Sequence, residues 1–128
     1  MAYAIVIEKP GGTEVLRQIE IDLPAPSPSD VLIRQTAVGV NFIDIYFRIG
    51  LYPWPVEKDL ITGSEGAGIV EAVGAQVSGF SIGDRVAYTV PNGGYASHRL
   101  VPAASLVSLP DHISDEQAAA IMLKGLTA

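Results

Sequence analysis

Residues 63–74 read Gly63-Ser64-Glu65-Gly66-Ala67-Gly68-Ile69-Val70-Glu71-Ala72-Val73-Gly74. Residues with little or no side chain lead into Ile69–Val73, whose Ile and Val content marks a strand. Closely spaced glycines hold a pyrophosphate when they form a strand–turn–helix unit with an acidic residue about 20 positions on. Here a strand follows them, so Gly63, Gly66 and Gly68 are expected to let backbones approach closely rather than to cradle phosphate.

Downstream, Gly74, Gly79 and Gly83-Asp84 punctuate turns, and Val86–Val90, Gly94–Leu100 and Ser105–Leu109 read as further short strands. Upstream, Tyr3–Glu8 is a first strand and Pro10-Gly11-Gly12 a turn. Val15–Asp22 alternates apolar and polar residues, as a half-exposed antiparallel partner does. Pro24, Pro26 and Pro28 cannot sit inside a ladder and mark a surface loop before the strand Val31–Val38. Asn41 is placed to N-cap a short helix, Phe42–Ile49, with Asp44 near its positive end and Gly50 as its stop. Pro53 and Pro55 around Trp54 make Leu51–Ile61 an irregular loop. Many short strands with turn signals between them predict a mainly β fold, a barrel or sandwich with a few short helices. The end differs: Ser114-Asp115-Glu116-Gln117 is a capping box, and the helix it opens runs to Ala128 with only Gly125 hinting at a stop, as expected of a chain cut inside a longer protein.

Composition narrows the function classes. At 128 residues the chain is one domain's worth, and 48% hydrophobic against 17% charged residues excludes disorder. A net charge of −6 argues against nucleic acid, which needs clustered Lys and Arg. Without Cys there is no disulfide, no thiolate chemistry and no Cys-type zinc site. His98 and His112 read as surface residues without a role. No stretch approaches the roughly 20 apolar residues of a membrane span, and the amino terminus lacks the features of a signal peptide, so the cytoplasm is the expected location.

Four stretches, in order, resemble the medium-chain dehydrogenase/reductase superfamily, and within it the zinc-independent quinone oxidoreductases related to zeta-crystallin. They are Gly39–Tyr46, Gly63–Gly74, Gly83–Tyr88, and Gln117–Ala120 with Leu123–Ala128; Lys9–Leu16 fits the same pattern. The resemblance implies a GroES-like, partly open β-barrel. Residues 1–113 would form the substrate-side part of the catalytic domain, and 114–128 would begin the helix leading to a Rossmann domain outside this sequence. It also implies NADPH as cofactor, a quinone or enone as substrate, and a homodimer. Zinc-dependent members of the superfamily have Cys where this chain has Asn41 and His where it has Ser64, and neither replacement is a zinc ligand. No metal site is therefore expected. Hydride would pass directly from nicotinamide to an electron-poor acceptor, with the protein aligning the rings and stabilising the developing oxyanion. A reductase of enoyl thioesters or other α,β-unsaturated carbonyls, and a non-enzymatic GroES-like binding module, are the alternatives.

In the family, the segment matching Asn41, Phe42, Ile43, Asp44, Ile45 and Tyr46 lies against the nicotinamide. Asn41 then offers an amide to ribose or substrate, or simply caps its helix; Asp44 touches the cofactor or only answers the helix dipole. Tyr46 is a pocket wall or a rim tyrosine. Tyr52, with Trp54 beside it, walls a flat quinone or plugs the barrel end. Glu65 is expected to be a buried carboxylate held by Arg85 or by backbone N–H groups. Lys124 and Thr127 match positions near the cofactor, Lys124 being otherwise a solvated helix lysine. The chain alone is expected to be inactive and to bind NADPH hardly at all.

Overall fold

A computed structural model describes the backbone of residues 2–127, and the side chains as far as Leu123. Among the described residues, seven strands form two antiparallel sheets. β1 (Ala2–Ile7) pairs with β2 (Leu16–Ile21) across the Pro10-Gly11-Gly12 turn and one 3-10 turn. A five-stranded sheet has the order β6-β3-β4-β5-β7, from β3 (Asp30–Val38), β4 (Glu65–Val73), β5 (Arg85–Thr89), β6 (His98–Pro102) and β7 (Leu106–Ser108). Single bridges at Ala4–Ala96 and Ile7–Leu60 join the small sheet to the loops of the large one. The sheets do not close, which is the partly open, mainly β architecture expected from the sequence.

Alternation places the core. Val31 and Ile33 of β3, Val70 of β4, Val86 and Tyr88 of β5, Val101 of β6 and Leu106 of β7 form one buried cluster. Fully burying each such aliphatic side chain stabilises by about 1.5–3 kcal/mol. The opposite face of the large sheet is lined by small residues, Ala67 and Ala87, against which Ala118 packs. That residue belongs to α2 (Asp115–Thr127), and the small side chains let the helix lie close. Its start is held as predicted: Gln117 N–H donates to Ser114 Oγ at 3.1 Å, and Ser114 N–H to Gln117 Oε1 at 3.0 Å. Arg85 adds a clamp, donating to Asp115 Oδ1 at 2.7 Å and to the Ile113 carbonyl at 2.6 Å. Thr36 donates to Asp115 Oδ2 at 2.7 Å.

Most strand ends lie within a residue of the sequence reading, but two strands begin four residues away from it. β4 begins at Glu65, not Ile69, so Gly66 and Gly68 lie inside the central strand. A Cβ on Gly68 would stand 2.4 Å from the Arg34 carbonyl oxygen, so β3 and β4 can meet there only without one. β6 begins at His98 rather than Gly94, because residues 94–97 turn back over Gly63 and β1.

Candidate active site

α1 (Phe42–Arg48) starts at Asn41 in extended conformation, with Ile49 as C-cap and Gly50 at a φ of +84° ending it, as the sequence predicts. Its polarity is inverted. The buried residue of the helix is Asp44, 4% exposed, while Phe42 is 76% exposed and Ile49 50%. Phe42, Ile45, Tyr46 and Ile49 share one face by their three- and four-residue spacing, so an apolar stripe faces outward and a carboxylate faces in.

The carboxylate is held at its inner end. Asp44 Oδ2 accepts the Asn41 N–H at 3.0 Å and the Tyr95 hydroxyl. Burial, then the hydrogen bond to Asp44 and its charge, push the Tyr95 phenol well above its ordinary value, so it stays protonated and donates. Asp44 Oδ1 has no partner, and neither has the buried Oγ of Ser64. Orphaned polar atoms are rare in folded proteins and mark places where water or a ligand completes the bonding.

Asn41 links this helix to β4. Its Nδ2 donates to Glu65 Oε1 at 2.7 Å, and the other carboxylate oxygen, Oε2, accepts the Leu123 N–H of α2 at 2.7 Å. Glu65 is 1% exposed. The sequence offered Arg85 or backbone N–H groups as its partner. Arg85 is instead committed to Asp115, and Glu65 takes one backbone N–H and the Asn41 amide.

At the far end of α1, the Pro-rich loop folds back on the helix. Trp54 Nε1 donates to the Phe47 carbonyl at 2.6 Å. Tyr52 meets Tyr46 edge-on with ring centroids 5.5 Å apart, and Phe47 likewise at 5.5 Å. Tyr46 and Tyr52 are 36% and 40% exposed, so both rings retain open surface. The structure thus gathers Asn41, Phe42, Ile43, Asp44, Ile45, Tyr46 and Tyr52 on and around one short helix. Among the described residues, no hydrogen bond joins Asn41 to Tyr46 or Tyr52. The side chains of Lys124 and Thr127 lie outside the described residues.

Sequence reasoning missed Tyr95. It reaches Asp44 from 51 positions away and lines an apolar cleft of about 380 Å³ with Tyr3, Ala4, Val38, Val40 and Ala96. No local pattern around Gly94-Tyr95 signals that contact. His98, expected at the surface without a role, is half-buried, with Nε2 3.3 Å from Glu71 Oε1 and Nδ1 2.9 Å from Ser97 Oγ. His112 is exposed as expected.

Among the described residues, no group of three or more His, Cys, Asp or Glu side chains is arranged to hold a metal ion. Nor is any described helix long and apolar enough to cross a membrane.

Comparison with known proteins agrees with the fold. The chain is 51% identical to a quinone oxidoreductase of Pseudomonas aeruginosa over 128 residues, covering 99% of this chain and 39% of that protein. It is 40% identical to a 2-haloacrylate reductase of a Burkholderia species, covering all of this chain and 40% of that one. The crystal structure of Escherichia coli quinone oxidoreductase complexed with NADPH superposes with a TM-score of 0.91 at 43% identity, covering 98% of this chain and 38% of that one. This chain therefore spans about two-fifths of the length of the relatives it matches. The family model of the alcohol dehydrogenase GroES-like domain matches residues 27–111, and with the observed strands in agreement, the chain belongs to that family.

Proposed function

We propose that this chain is the substrate-side part of an NADPH-dependent reductase that passes hydride to quinones or similar electron-poor acceptors without zinc. The observation that carries the reading is the donor set at the head of α1. An amide tied to Glu65 and a serine hydroxyl occupy the positions where zinc-dependent relatives place thiolate and imidazole. Similarity to a quinone oxidoreductase solved with NADPH supports the cofactor.

The residues present fit such a cofactor. Phe42, Ile45 and Tyr46 offer an exposed apolar face of the kind on which a flat ring packs, and the buried Asp44 Oδ1 and Ser64 Oγ lack hydrogen-bond partners. NADPH would supply the hydride. Asn41 would orient the ribose or the acceptor carbonyl through its amide, with Phe42, Ile43 and Ile45 forming the wall on the nicotinamide side and Asp44 meeting the cofactor only from the buried side of the helix head. Tyr46 and Tyr52, in edge-on contact with each other, would together form an aromatic wall for the acceptor ring. Lys124 and Thr127 would meet the cofactor from the end of α2. Residues 1–113 would be the substrate-side domain, 114–128 the start of the helix to a cofactor-binding domain, and the full-length protein a cytoplasmic homodimer.

The test is NADPH consumption by the full-length protein with a panel of quinones and enones. Turnover with quinones is expected; no oxidation with any of them rejects the proposal. Similarity to a 2-haloacrylate reductase favours a second reading, reduction of an activated carbon–carbon double bond, and the same panel separates the two.

A further inference from the structure

We infer that Glu65 is a positioning residue that sets which atoms the Asn41 amide presents, and that it ties that setting to α2. The inference rests on the proposed role of Asn41. A carboxylate only accepts hydrogen bonds, so Glu65 Oε1, at 2.7 Å, admits the NH₂ side of the Asn41 amide and refuses its carbonyl oxygen. The amide is thereby fixed in one of its two orientations. One Nδ2 proton is engaged by Glu65 and Oδ1 faces the Asp44 N–H in a capping box, so the second Nδ2 proton is what the amide presents in a defined direction.

The carboxylate itself cannot drift. It is 1% exposed, and Oε2 accepts the Leu123 N–H at 2.7 Å. Gly39 leaves room for it: a Cβ there would stand 2.3 Å from Glu65 Cγ and 2.4 Å from the Ala119 carbonyl oxygen. Glu65 therefore sits between the end of β3, the head of α1 and the middle of α2. A shift of α2 moves the acceptor to which Asn41 is bound. In the full-length protein, the placement of the helix leaving this domain would be read by the amide at the site.

Glu65→Gln tests the idea with little change of volume. Leu123 N–H can only donate and would repel the glutamine NH₂, so Gln Oε1 turns to it and Gln Nε2 faces Asn41. The Asn41 amide must then flip to offer its oxygen, taking it from the Asp44 N–H and changing what it presents to the ligand. In the full-length protein, Glu65→Gln should lower kcat about tenfold or more in the wild-type background, and less than about twofold when Asn41 is already Ala. An equal loss in both backgrounds would mean that Glu65 acts only on the fold, and overturns the inference. A readout independent of turnover separates this from failure of the proposed reaction: the side-chain NH₂ of Asn41 by NMR. Slow hydrogen exchange in wild type supports the inference, whereas exchange as fast as that of a free amide refutes it, whatever the enzyme reduces.

Discussion

Replacing Gly39 by Ala adds one carbon where the structure has no space. Gly39 is not in the left-handed region, so alanine meets no backbone penalty and the effect is steric alone. The new Cβ would lie 2.3 Å from Glu65 Cγ, 2.4 Å from Glu65 Oε1 and 2.4 Å from the Ala119 carbonyl oxygen, against an ordinary contact of 3.4–4 Å. The shortfall of about 1 Å falls on a helix backbone and on a fully buried side chain, neither of which can swing into solvent. Overpacking of this kind destabilises by about 1–3 kcal/mol, and the involvement of backbone puts the expected loss near the top of that range. Against a typical total of about 5–15 kcal/mol, that is a large fraction. Urea unfolding followed by circular dichroism measures it, as a lower midpoint with an unchanged m-value. A loss below about 0.5 kcal/mol would show that α2 does not press on Gly39 through Glu65, and the reasoning would fail.

Three further outcomes are expected. The Thr36 hydrogen bond chiefly, with help from the Arg85 hydrogen bond and charge, holds the Asp115 carboxyl below its ordinary value of 3.8. The stabilisation it brings is present above that pH and disappears as the pH falls through the lowered value, so Asp115→Asn should flatten the acid limb of a stability–pH curve; an unchanged limb contradicts this. Tyr95→Phe removes a donor from the buried Asp44 carboxylate and should destabilise by about 1–3 kcal/mol in thermal or urea melts, a shift near zero being the refuting result. Because the Tyr95 phenol is raised above 10.0, its contribution should be complete below pH 10 and fade at higher pH. Finally, the isolated chain should show no NADPH binding by titration calorimetry, and micromolar affinity would mean that α1 binds the cofactor without a second domain.

Much of the fold was legible because its signals are local. Alternating Val31 and Ile33, the proline-marked loop and the Ser114–Gln117 box each declare themselves within a few residues. The start of β4 was not, since residues with little side chain resemble a turn until the opposing strand is seen; Gly68 is required by the Arg34 carbonyl on β3. The candidate residues at the head of α1 were found through family resemblance, and the structure gathers them. The burial of Glu65 was anticipated and holds, but the contacts that support these residues were not legible, for a plain reason. Glu65 meets Asn41 across 24 positions and Leu123 across 58, and Tyr95 meets Asp44 across 51. A carboxylate in the first turn of a helix suits the helix dipole whether buried or solvated, and only the packing shows that α1 turns Asp44 inward and Phe42 outward.

The most direct test of the account is NADPH oxidation with 1,4-benzoquinone by the full-length protein before and after exhaustive chelation. The expected result is the same rate in both, with no gain when zinc is added back. Activity that chelation abolishes and zinc restores would contradict the claim that the Asn41 amide and the Ser64 hydroxyl serve ring alignment and not a metal.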